Sequence, residues 1–131
     1  MKIGNISLGS FPLLLAPMED VSDPPFRAVC KDNGADLMYS EFISSEGLIR
    51  DAIKSKQKLD FSEEERPFGI QIFGGDEEAM SMSARICETV NPDLVDINFG
   101  CPVKQVTEKA HSGSYLLRFP ERMGAIIERV V

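Results

Sequence analysis

The stretch Leu94-Val95-Asp96-Ile97-Asn98-Phe99-Gly100-Cys101-Pro102 decides how this chain is read. Leu94 to Ile97 has the pattern of a buried strand, and it runs straight into a Gly-Cys-Pro turn. In α/β proteins the carboxyl ends of parallel strands are where ligands and reactive groups gather. Cys101 is placed at such an end, with the carboxamide of Asn98 three residues before it. Two local readings stay open. The thiol is either held for chemistry or packed as a structural cysteine in a tight turn, since free cysteine is among the most buried residue types.

Working outward, three more strand-like segments precede this one. The first, residues 13–18, leads through Asp20, Ser22 and Asp23 to a helix over 26–32. Pro24 and Pro25 fit a first helical turn, Asp23 is a suitable cap, and Asn33-Gly34 is a stop signal. The second strand, 36–41, precedes a helix from about Ser44. The third, Phe68–Phe73, ends at Gly74-Gly75, after which Asp76 caps a helix over 77–90. Met80, Ala84, Cys87 and Val90 keep helical spacing there, and Met123, Ile126, Ile127 and Val130 form one stripe on a last helix over 120–131.

This alternation predicts a parallel sheet with crossover helices. Two architectures fit it: a doubly wound sheet, or the front half of a (β/α)₈ barrel, whose complete form takes about 250 residues. The carboxyl ends of the four strands carry Ala16-Pro17-Met18-Glu19, Glu41, Gln71, and Asn98 with Cys101. In a parallel barrel these ends share one face, so polar and acidic side chains converge on a single mouth. That convergence favours the chemical reading of Cys101.

Composition narrows the classes. A chain of 131 residues with 43% hydrophobic and 27% charged residues is ordinary for one globular domain. The apolar run from Phe11 to Met18 is too short to span a bilayer, no signal-peptide pattern opens the chain, and a cytoplasmic location is expected. Cys30, Cys87 and Cys101 are odd in number and His111 is the one histidine, so neither a disulfide framework nor a metal site is expected. Cys30 and Cys87 read as core, His111 as a loop residue without a partner, and Met18, Met80 and Met82 as apolar filler. A net charge of −7 has the wrong sign for a free-standing nucleic-acid binder. The basic group Arg50, Lys54, Lys56 and Lys58 reads either as a solvated mixed-charge face or as a binding patch.

At the strand ends the chain resembles the tRNA-dihydrouridine synthases, flavin enzymes built on a (β/α)₈ barrel. Three segments carry the resemblance: Ala16-Pro17-Met18-Glu19-Asp20-Val21-Ser22-Asp23-Pro24-Pro25-Phe26-Arg27, Gln71-Ile72-Phe73-Gly74, and Asp96-Ile97-Asn98-Phe99-Gly100-Cys101-Pro102. It implies reduction of the 5,6-double bond of uridine in tRNA, with FMN as cofactor and NADPH as reductant. By the same resemblance Cys101 is the proton donor and Asn98 hydrogen-bonds the uracil. Pro17, Met18 and Glu19 line the flavin largely through backbone, and Gln71 meets the isoalloxazine ring. The chemistry is consistent: an unperturbed thiol, with a pKa of about 8.5, is protonated at neutral pH. Lys104 and Lys109 follow the signature as candidate phosphate contacts, and Tyr115 stands in the Gly113-Ser114-Tyr115-Leu116-Leu117 run where the family usually has a small residue.

The resemblance also sets an expectation about extent. Residues 1–131 read as a single partial catalytic domain, the N-terminal half of the barrel with about four β-α units. The second half-barrel and a helical tRNA-binding domain are not in it. tRNA is then a partner of the full-length protein, a membrane is not, and the open half-barrel is a candidate for self-association. Two alternatives remain: another FMN-dependent barrel oxidoreductase, and a non-catalytic half-barrel folding or self-association module.

Overall fold

In the computed structural model, which describes Met1–Val131, the chain opens with a short antiparallel hairpin of β1 (Lys2–Ile3) and β2 (Ile6–Ser7). Gly4, with φ of 54°, supplies the left-handed turn residue between them. The helix α1 (Pro24–Asp32) begins as its sequence requires: Asp23 accepts a hydrogen bond from the Phe26 N–H, and both prolines lie in the first turn. Residues 13–18, expected as a strand, pair only through Leu14 and Leu37. The Leu15 N–H donates to the Leu37 carbonyl at 2.9 Å, and the Asp36 N–H to the Leu13 carbonyl at 2.8 Å. Pro12 and Pro17 withhold donors on either side, which limits this strand to one parallel bridge.

The expected second strand, 36–41, is shortened to two residues, and a further strand segment follows beyond it. β3 (Met38–Tyr39) pairs parallel with Phe68 and Gly69, and β4 (Ile43–Ser44) pairs parallel with Ile72 and Phe73, both on the same side of β5 (Phe68–Phe73). Three residues, Ser40 to Phe42, therefore stand opposite two, Ile70 and Gln71. This is the bulge geometry that bends a strand and re-aims its side chains. Between β4 and β5 come α2 (Ser45–Ile49) and α3 (Ile53–Gln57). The first five residues of β5 are all buried, as suits a central strand of a parallel sheet.

α4 (Glu77–Glu88) starts at the Asp76 cap, and β6 (Leu94–Ile97) pairs parallel with the other side of β5. α5 (Pro120–Val130) closes the described chain and packs on α4. The spatial order of the parallel segments is thus the sequence order: Leu14, β3 with β4, β5, β6. A doubly wound sheet reverses direction at a switch point, whereas a barrel adds each strand beside the last. The order is that of a barrel, and the sheet is not closed.

The core lies between β5 and the helices, built from Met38, Ile43, Phe68, Ile70, Ile72, Met80, Cys87, Leu116 and Ile126. Met82 and Ile127, expected as filler and as part of the apolar stripe, are exposed, and Val90 lies beyond the end of α4. Arg27 and Glu65 form a buried ion pair at 2.5 Å that ties α1 to the short 3₁₀ turn Glu63–Glu65. The guanidinium also donates to the carbonyls of Ser22 and Asp60, both at 2.8 Å, and lies 4.8 Å from the centre of the Phe68 ring. No helix is long and apolar enough to cross a membrane.

Candidate functional site

Parallel pairing sends the chain after Leu14, β4, β5 and β6 toward one edge of the sheet. Gln71 on β5 and Asp96 on β6 are register partners, so their side chains leave the same face side by side, and Asn98 follows two residues on. The Gln71 Nε2 donates to Asp96 Oδ2 at 2.6 Å, and the Asn98 Nδ2 donates to Gln71 Oε1 at 2.9 Å. Asn98 Oδ1 then accepts from the backbone N–H of Gly100 at 3.0 Å and of Cys101 at 2.9 Å. Gln71, Asn98 and Cys101 are therefore joined in one hydrogen-bonded series, although 30 residues separate the first from the last.

Two neighbours hold this series in place. Ser40, fully buried in the bulge, accepts from the Gln71 backbone N–H at 3.0 Å through its hydroxyl, replacing a ladder bond that the bulge removes. Gly113, with φ of 58°, lies against the Cys101 turn so closely that a Cβ would stand 2.6 Å from the Cys101 carbonyl oxygen. The half-buried phenol of Tyr39 has its pKa raised, first by burial and then by the charge of Asp96. Cys101 is half-buried. Cys87 is fully enclosed, and burial pushes its thiol up to about 12, so it is inert.

Pro17, Met18 and Glu19 form a separate group. Ser22, also fully buried, accepts from the Met18 N–H at 2.7 Å through its hydroxyl, and its backbone N–H donates to the Met18 carbonyl at 3.0 Å. The loop is thereby folded back on itself, and Arg27 anchors it through the Ser22 carbonyl. The backbone N–H groups of Ala16 and Glu19 donate to nothing within the chain. Lys58 binds the loop to the second strand, with Nζ 2.5 Å from Glu19 and 3.1 Å from Glu41. Burial, the largest single influence, lowers the Lys58 pKa, but the hydrogen bonds and charges of the two carboxylates outweigh it and the net shift is upward. No hydrogen bond joins this group to Gln71, Asn98 or Cys101.

A cleft of about 320 Å³ opens beside the Lys58 clamp, lined by Asp20, Arg27, Glu41, Lys58 and Asp60 among others, most of them polar or charged. Gln71, Asn98 and Cys101 do not line this cleft. The basic cluster is largely neutralised: Arg50 pairs with Glu46, Lys56 with Asp51, and Lys58 with two carboxylates. The mixed-charge reading holds there. His111 has a partner after all, its ring 5.0 Å from that of Tyr115, which in turn lies tilted against Phe119 with ring centres 5.3 Å apart. Tyr115 thus occupies the crowded turn beyond Gly113.

Sequence reasoning missed Asp96, Ser40, Lys58 and Ser22 as members of the site. Asp96 was visible as the one carboxylate inside an apolar strand. Lys58 was masked by the other lysines around it.

A model of the dihydrouridine synthase family matches residues 14–131. A probable tRNA-dihydrouridine synthase of Aquifex aeolicus is 41% identical over 120 residues, 91% of this chain and 37% of that protein. tRNA-dihydrouridine synthase B of Pasteurella multocida is 37% identical over 131 residues, 100% of this chain and 39% of its own. The enzyme of the same name from Escherichia coli is also 37% identical over 131 residues, with 40% of its length covered. The chain therefore spans about two fifths of the curated relatives it matches.

Proposed function

The chain belongs to the dihydrouridine synthase family, and from that premise we propose that it forms part of the catalytic barrel of an enzyme reducing uridine in tRNA to dihydrouridine. The observation that carries this reading is the hydrogen-bonded series of Gln71, Asn98 and Cys101 at the carboxyl edge of the sheet. The residues present fit FMN. Gln71 spends one N–H on Asp96 and keeps a second for a flavin acceptor, and the Ala16 and Glu19 backbone donors are free on the loop that would line the ring. When bound and reduced by NADPH, FMN supplies the hydride.

The protein's own groups do the remaining work. Cys101 provides the proton to the other carbon of the double bond, from a turn whose two N–H groups are fixed on Asn98. Asn98 keeps one N–H for a uracil oxygen while its Oδ1 serves the turn. Lys58 holds Glu19, and with it the flavin-lining loop, against Glu41.

The test is dihydrouridine formation by the complete FMN-loaded protein, given NADPH and unmodified tRNA, compared with free uridine and small enones. Reduction of tRNA with little turnover of the free compounds supports the reading. Equal turnover of free enones would make the enzyme another FMN barrel oxidoreductase. A second reading, self-association of this half-barrel, is favoured by one observation: β6 pairs with β5 on one side and leaves its other edge unpaired. Sizing of residues 1–131 across a concentration series tests it.

A further inference from the structure

The hydrogen bonds of the Cys101 site have a single direction. An ionised carboxylate only accepts, while a carboxamide accepts at one end and donates at the other. Asp96 Oδ2 therefore draws the Nε2 end of Gln71 toward itself at 2.6 Å, which leaves Oε1 facing Asn98. Oε1 in turn draws the Nδ2 end of Asn98 at 2.9 Å, and Asn98 Oδ1 is left for the Gly100 and Cys101 N–H groups. Turning Gln71 over would set its oxygen against a carboxylate oxygen and its NH₂ against the NH₂ of Asn98. Turning Asn98 over would set its NH₂ against two backbone donors. Each inversion leaves buried or half-buried polar groups unpaired.

We propose that Asp96 is a positioning residue: its carboxylate, as the acceptor-only terminus, fixes the orientation of Gln71 and Asn98 and so the conformation of the Cys101 turn. Three observations support this. Gln71 and Asp96 are register partners on adjacent strands, so the contact is dictated by the sheet. Gln71 is buried with its backbone pinned by Ser40, so it has little freedom to find other partners. The turn has no hydrogen-bond acceptor from the Asn98 side chain unless Oδ1 points toward it. The same carboxylate thereby aligns the residue proposed to meet the flavin and the residue proposed to protonate the substrate. In that functional sense the inference rests on the function proposed above.

The readout is the rate at which iodoacetamide alkylates Cys101 in the folded protein, followed by mass spectrometry with enclosed Cys87 as internal control. It needs neither flavin nor tRNA. Three variants are compared with the parent: Asp96→Asn, Gln71→Glu, and the two together. Asp96→Asn permits Gln71 to invert, and Gln71→Glu sets two carboxylates face to face. Each is expected to change the Cys101 rate at least fivefold. In the double variant the new amide donates to the new carboxylate, which still accepts from Asn98, so the order is restored and the rate is expected within twofold of the parent. A merely structural role for Asp96 predicts no such rescue.

A Cys101 rate within twofold of the parent in Asp96→Asn, or a double variant as perturbed as either single one, would overturn the inference. Should a single variant expose Cys87 and thus be unfolded, the double variant decides. Folded with the parental rate it supports the proposal, and unfolded it overturns it. If the rescue is seen but Cys101→Ala retains full uridine reduction, the positioning stands and the proposed role of the thiol fails.

Discussion

Lys58 illustrates how much a single residue at this mouth is asked to do. Its ammonium bridges Glu19, in the loop after Leu14, and Glu41, in the bulge between β3 and β4, and lies 6.0 Å from the centre of the Phe42 ring. Because its pKa is raised on folding, the stabilisation it gives is fully present below the usual lysine value of 10.5 and is lost as pH rises through the higher folded value. The group is partly exposed, so Lys58→Met is expected to cost only about 1 kcal/mol at pH 7. Urea denaturation of both proteins at pH 7 and pH 11 checks this: the difference should shrink at pH 11. FMN titration should show weaker binding in the variant, because the Glu19 loop loses its tie to Glu41.

At the scale of elements, the bulge between β3 and β4 and the turn at Gly113 are the devices that shape the site. Ser40→Ala removes the acceptor of the Gln71 N–H in a buried setting, where an unsatisfied backbone group costs about 1–3 kcal/mol. Chemical denaturation should register that loss. Gly113→Ala meets two obstacles, a left-handed φ of 58° and a carbonyl oxygen 2.6 Å from the new Cβ. The Cys101 turn must move to admit it, so the variant should destabilise the protein and raise the alkylation rate of Cys101 while Cys87 stays protected.

The whole molecule is held together by features of unequal legibility. β5, β6, α1, α4 and α5 could be bounded to within two residues because caps such as Asp23 and Asp76, prolines at helix starts and short apolar runs are local signals. The opening hairpin carries one short signal, Gly4-Asn5 between two isoleucines, with strands of only two residues on either side. The bulge between β3 and β4 has no local signal, since the extra residue at Ser40 to Phe42 is defined only against β5. The site divides the same way: strand ends identify Gln71, Asn98 and Cys101, but their order of donors and acceptors needs the register of β5 against β6.

Arg27 shows the same limit, because its partner Glu65 lies 38 residues away. Removing one member of a buried pair strands the other, so Arg27→Met should cost about 3–5 kcal/mol in urea denaturation. Loss of under 1 kcal/mol would mean that the pair does not staple α1 to the 3₁₀ turn Glu63–Glu65.

The role of Cys101 as proton donor is decided by Cys101→Ala in the complete protein. Dihydrouridine formation on unmodified tRNA is measured at saturating FMN and NADPH, with FMN affinity determined on the same sample. Flavin binding is expected unchanged and the rate lowered by about 10²–10⁴, the range for loss of a general acid. Dihydrouridine formed at the parental rate would contradict that role.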